Sequence, residues 1–204
     1  MTVFDSVAGV EPQTETVWRQ ANKYHVPRMI FVNKMDRAGA NFLRVVGQVQ
    51  ERLGATAIPV QLPIGAEENF AGVIDLIRMQ QVRWDDDSLG AAFTAQDPSP
   101  SEMEMMAPHR EQLLESLAEV DDEIMEAYLN EAPIETEMLT RAIRQATISL
   151  ARVPVLCGSA LKNKGIQPLL DAIVGYLPSP LEVPPIKGIH PESGDTIACP
   201  PKEK

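Results

Sequence analysis

Cysteine is almost missing from this chain. Its two cysteines, Cys157 and Cys199, lie far apart and lack the close spacing of a disulfide framework or a zinc site. Cys157 falls within an apolar run and reads as a buried thiol. His25, His109 and His190 are scattered and form no ligand cluster. No apolar stretch approaches the roughly 20 residues needed to span a bilayer, so no membrane association is expected. The opening Met-Thr-Val-Phe-Asp-Ser has neither a basic region nor a small-residue cleavage site, so no signal peptide is expected and a cytoplasmic location is.

Basic charge is scarce as well. Lysine and arginine total 18 against 29 acids, a net charge of −11. The deficit is local: residues 102–140 hold twelve acids and one base, Arg110, while the remaining residues hold seventeen of each. Contact with nucleic-acid backbones needs lysine and arginine, so sequence-specific nucleic-acid binding is not expected. A basic protein partner suits the acidic segment better, although a solvated helix face is the commoner meaning of such a run.

Apolar periodicity gives the organisation. Residues 2–7 read as a strand, and Pro12 suits the first turn of a helix running to about residue 25. Arg28 to Asn33 reads as a buried strand, and Phe42, Val45, Val46, Val49 and Leu53 mark one face of a helix that Gly54 stops. Strand-helix alternation implies a parallel sheet with helical crossovers. From Ala57 to Ile64 and from Val73 to Trp84, β-branched and aromatic residues predict strands of a small sheet. Asp85-Asp86-Asp87-Ser88 and Asp97-Pro98-Ser99-Pro100 predict solvated turns. Acidic helices follow, with Leu113, Leu117, Val120, Ile124 and Tyr128 at core spacing, then a helix over about 134–150. Val153 to Cys157 predicts a second buried strand and Ile166 to Tyr176 a final helix. From Leu181 onward, proline-rich sequence reads as a linker.

The chemistry concentrates where the two buried strands end. Asn33-Lys34-Met35-Asp36 follows the first, where open α/β sheets bind ligands. The Asp36 carboxylate can accept two hydrogen bonds from the N1–H and 2-amino group of guanine, whereas adenine has neither donor there. Lys34 can lay its methylenes along the base, and Asn33 can tie the loop to its neighbours. Taken alone, the tetrapeptide is an ordinary turn. Gly158-Ser159-Ala160-Leu161-Lys162-Asn163-Lys164-Gly165 follows the second strand. There the Ala160 N–H can meet the guanine 6-oxo group, and the Lys162 stem can cover the base from the other side. Lys164 reads as a surface lysine, and Trp18 and Trp84 as packing residues.

These residues closely resemble translation elongation factor G. The resemblance is carried by Val3 to Val10, Pro12 to Tyr24, Asn33 to Arg37, Gly39 to Phe42, Gly158 to Gly165 and Tyr176 to Pro180. It extends from near residue 3 to about 189 and is looser between about 85 and 150. Other translational GTPases share the two base-reading loops, whereas the helix Glu15 to Ala21 and the long insertion point to elongation factor G. The family most often has Phe where Leu161 stands.

The resemblance implies an α/β fold: part of a P-loop-GTPase-type parallel sheet with flanking helices, interrupted by an α+β insertion subdomain. Residues 1–54 would be the first part of the second half of the GTPase domain, 55–150 the insertion, 151–180 its last strand and helix, and 181–204 a linker to a further domain. It further implies that Asn33, Lys34, Asp36, Ser159, Ala160, Leu161 and Lys162 bind the guanine of GTP or GDP. The implied partners are the ribosome and, through residues 102–140, its large-subunit stalk protein. The family's magnesium ligands are not found: no Gly-x-x-x-x-Gly-Lys-Ser/Thr, Asp-x-x-Gly or Pro-Gly-His segment occurs, so no metal site, catalytic residue or hydrolysis is expected of these residues. The chain thus reads as a fragment of a translocation GTPase. A non-catalytic acidic interaction module and a truncated reading frame without a role of its own are the alternatives.

Overall fold

The structure, a computed structural model, describes residues 1–85, 89–182, 186–189 and 196–199. Asp86, Asp87, Ser88, His190 and the side chain of Cys199 lie outside them.

Along the chain come β1 (Thr2–Asp5), α1 (Pro12–Lys23), β2 (Ile30–Asn33) and α2 (Phe42–Leu53). Pro12 occupies the first turn of α1. The Asn41 side chain caps α2 by accepting from Arg44 N at 2.9 Å, and Gly54, at φ 62, ends it in the left-handed conformation. Phe42, Val45, Val46 and Val49 are buried as their spacing predicts. Next come β3 (Ala57–Pro59), β4 (Gln61–Ile64), β5 (Gly72–Asp75), β6 (Gln80–Trp84) and β7 (Phe93–Gln96). Three helices follow, α3 (Pro100–Ala118), α4 (Asp122–Leu129) and α5 (Thr136–Ile148), then β8 (Val153–Cys157) and α6 (Ile166–Tyr176).

Four strands form a parallel sheet in the order β1-β2-β8-β3, so the fold is α/β with flanking helices as expected. In β2 only Asn33 is partly exposed, and β8 is buried throughout. Both interior strands are therefore apolar runs without alternation. Their register sets Val32 beside Cys157, which brings the loops that follow them to the same edge of the sheet. A second, antiparallel sheet has the order β4-β5-β6-β7.

Four expectations need correction. The strand expected over 57–64 is divided at the buried Val60: Ala57–Pro59 joins the parallel sheet, and Gln61–Ile64 opens the small one. Pro59 and Pro63 thus both lie on edge strands, where a missing N–H is tolerated. The strand expected over 73–84 is a hairpin. Asp75 Oδ1 accepts from Ile77 N and Arg78 N at 2.8 and 3.0 Å and turns the chain between β5 and β6. The acidic helix breaks after Ala118, because the Asp121 side chain starts α4 by accepting from Glu123 N and Ile124 N, and Val120 is left exposed. Finally, residues 181–204 are not only a linker: β9 (Ile186–Ile189) and β10 (Thr196–Cys199) pair antiparallel, short runs that the prolines around them obscured.

The segment expected as a turn, 97–100, runs outside regular structure to Ser99 and enters α3 at Pro100. Ser99 and Glu102 form a reciprocal capping box there, with Pro100 in the first turn. Helix α5 packs on α6 and β8, and α3 reaches β3, so one continuous apolar core underlies both sheets.

Candidate functional site

The end of β2 is built to hold a strained loop. Lys34 adopts φ 64, a left-handed conformation unfavourable for a residue with a Cβ. Three hydrogen bonds hold it there. Lys34 N donates to Asn33 Oδ1 at 2.8 Å, Ser6 Oγ donates to Lys34 O at 2.7 Å, and Lys34 Nζ donates to Asp5 Oδ2 at 2.8 Å. Met35 points into the core and is fully buried, and Asp36 follows it, partly exposed.

The two loops are joined directly. Asn33 Oδ1 also accepts from Ala160 N at 2.9 Å, and Met35 N donates to Gly158 O at 3.1 Å. The Ala160 N–H, expected to face a ligand, is therefore engaged by Asn33. Within the second loop, Ser159 is buried, and its Oγ accepts from Lys162 N at 3.2 Å. Ser159 and Lys164 pair through their backbones at 2.9 and 3.0 Å. Leu161 is 85% exposed.

Between the loops lies a cleft of about 430 Å³, lined by Asp36, Leu161, Lys162 and Lys164 and by Glu67, Phe70 and Gly90 of the small sheet's connections. Its volume lies within the range of small-molecule sites. The Asp36 carboxylate accepts no hydrogen bond from any described residue, although it borders the cleft. It is a double acceptor on a cleft that Lys162 and Lys164 also line. Such a group suits a planar ligand edge bearing two parallel donors.

Asp5 escaped the sequence reading. It stands at the end of β1 beside Asn33 and accepts from Val7 N, Ala8 N, Lys34 Nζ and Arg37 Nη1. The Lys34 ammonium and, less strongly, the two backbone donors outweigh the opposing effect of burial and lower its carboxyl to about 2, from the ordinary 3.8. Lys34 thus directs its charge to Asp5 rather than to the cleft. Lys164 also differs from expectation: it is 5% exposed, and its ammonium donates to Phe70 O at 3.2 Å. A Lys in a loop carries no mark of burial in sequence when its partner is a carbonyl 94 residues away. Cys157 is buried as expected, and desolvation pushes its thiol pKa up. Trp18 packs against the Arg28 guanidinium at 4.1 Å and edge-on to Phe4.

Among the described residues, no group of His, Cys, Asp or Glu is arranged to hold a metal ion, and no helix is long and apolar enough to cross a membrane.

Residues 1–179 match the family described as the elongation factor Tu GTP binding domain. The fold is also similar to the crystal structure of a Thermus thermophilus protein, with a TM-score of 0.76 and 28% identity over 94% of this chain. The chain spans 29% of the length of that protein.

Proposed function

The chain belongs to the family of the elongation factor Tu GTP binding domain, and from that premise we propose that its two strand-end loops read the base of a guanine nucleotide. The observation that carries the reading is the unengaged Asp36 carboxylate on a cleft whose other wall is Leu161 and Lys162. In this reading Asp36 accepts from the guanine N1–H and 2-amino group. The stems of Lys34 and Lys162 flank the ring, and Asn33, Ser159 and Ala160 hold the loops in register. A site that pairs with a polar edge rejects analogues lacking it by a factor on the order of 10⁴.

The finer assignment is a portion of an elongation factor G, the GTPase of ribosomal translocation in the cytoplasm. It rests on the residues of α1 and on the small sheet with its acidic helices, set between β3 and β8. For these 204 residues alone, the proposal entails weak guanine-nucleotide binding, little preference between GDP and GTP, and no hydrolysis.

The test is Asp36→Asn. Asparagine offers one acceptor and one donor, which suits the 2-oxo edge of xanthine. The variant is expected to change preference from GDP to XDP, with a loss for GDP on the order of 1–3 kcal/mol. Ligand-detected NMR with GDP, XDP and ADP measures both arms. Unchanged guanine preference removes Asp36 from the role.

A second reading, a docking module, is favoured by the charge of residues 102–140. Here α3 and α4 would present their acids to a basic protein, the ribosomal stalk protein in the elongation factor G assignment.

A further inference from the structure

The small antiparallel sheet grips both loops of the cleft through polar contacts. On the first loop, Glu67 N donates to Met35 O at 2.8 Å, and the Glu67 carboxylate accepts from Gly39 N at 2.8 Å. On the second, Lys164 Nζ reaches Phe70 O. The connection between β6 and β7 approaches the same loop from another side. Gly90 O accepts from Asn163 Nδ2 at 3.3 Å and from Gln167 Nε2 at 3.1 Å. Gln167 Oε1 in turn accepts from the indole N–H of Trp84, a buried residue at the end of β6.

Gly90 marks how close this approach is. It sits at φ +76, and a Cβ there would lie 2.5 Å from Lys162 O and 2.8 Å from Asn163 O. A side chain would push the two connections apart.

The contacts divide the work of holding the second loop. Its root is fixed at the strand ends, where Asn33 binds Ala160 N and Gly158 O binds Met35 N. At its tip the Asn163 side chain donates to Gly90 O, and Gln167, itself held by Trp84, fixes Gly90 O from α6. A recognition site must be held to about 0.5 Å, so bracing of the tip bears directly on affinity. We propose that Trp84, Gly90 and Gln167 are positioning residues for guanine recognition, holding the 159–165 loop at the spacing from Asp36 that a purine ring requires. This rests on the guanine reading above and extends it to residues outside both loops. On this account the small sheet is a working part of the nucleotide site.

The experiment uses the full chain, titrated with GDP and followed through its two indole N–H signals in ¹⁵N–¹H spectra, with Trp18→Phe assigning them. The Trp84 signal is expected to shift with the midpoint of GDP binding, while that of Trp18 stays still. Gln167→Ala is expected to weaken GDP binding about tenfold, the value of roughly one lost internal hydrogen bond. Gly90→Ala should do the same through the clash; if it does not fold, Gln167→Ala carries the test. Asp36→Asn serves as the control for the site itself. If GDP binds in an Asp36-dependent way while Gln167→Ala binds like the parent and the Trp84 signal does not move, the positioning role is overturned and the guanine reading stands. If no Asp36-dependent binding is found, both are overturned.

Discussion

Asp5 carries charge and backbone capping at once. Its folded pKa of about 2 lies below the ordinary 3.8, so the ionised form is favoured by folding. The stability it supplies is nearly complete above about pH 4 and fades as the pH falls through 2, amounting to about 1 kcal/mol once solvent screening of the half-exposed Lys34 is allowed for. Asp5→Asn keeps an acceptor for Val7 N and Ala8 N but gives up the ion pair with Lys34. The variant should therefore be less stable than the parent at pH 7, with the difference shrinking between pH 4 and pH 2. Urea unfolding at stepped pH measures this, and a gap independent of pH would show that the ion pair contributes nothing. At this scale the sequence was informative only where a residue acts locally. Asn33 and Asp36 stand out because a strand end is recognisable from its own apolar run. Asp5, Glu67 and Gln167 do not, since each gains its meaning from a partner 28 or more residues away.

Elements with a buried face were legible, and those without one were not. Helix α2 and strands β2 and β8 declare themselves through continuous or periodic apolar residues. Strand β7 is exposed at all four residues and shows no alternation, so nothing in its pattern announced it. The division at Val60 was hidden for another reason: one β-prone run serves two sheets, and only tertiary pairing cuts it. The acidic helices show how structure refines a test. Glu119 is paired with the buried Arg152, and its reversal would leave that guanidinium facing a lysine. Glu104, Glu115 and Glu126 are exposed and form no ion pair among the described residues. Reversing these three to lysine should slow association with a basic protein and flatten its salt dependence, because such charges act over about 10 Å at 0.1 M salt. Titration with ribosomal stalk protein at low and high salt provides the measurement. Equal rates for parent and variant would reduce the acidic face to solvation.

Across the whole molecule, the parallel sheet ends abruptly at β1. This strand pairs with β2 on one side and lies at the edge of the sheet on the other. The turn at Gly9 bridges back to Asp5 and shields one end of that edge. The remainder runs beside exposed apolar side chains, with Val3 at 51% and Val17 at 54% exposure. An uncovered edge strand of this kind is a template for pairing with another chain, and proteins usually blunt it with a charge, a proline or a covering element. Residues Thr2–Phe4 carry neither a charge nor a proline, and Val3 lines an open depression with Val17 and Trp18 of α1. The isolated chain should therefore form concentration-dependent oligomers. Val3→Lys places a charge on the open edge without touching the buried Phe4 beside it, so it should shift the chain toward monomer while leaving the melting temperature nearly unchanged. Sedimentation velocity over a wide concentration range decides the matter. A parent chain that remains a compact monomer throughout would mean that the edge is shielded well enough already.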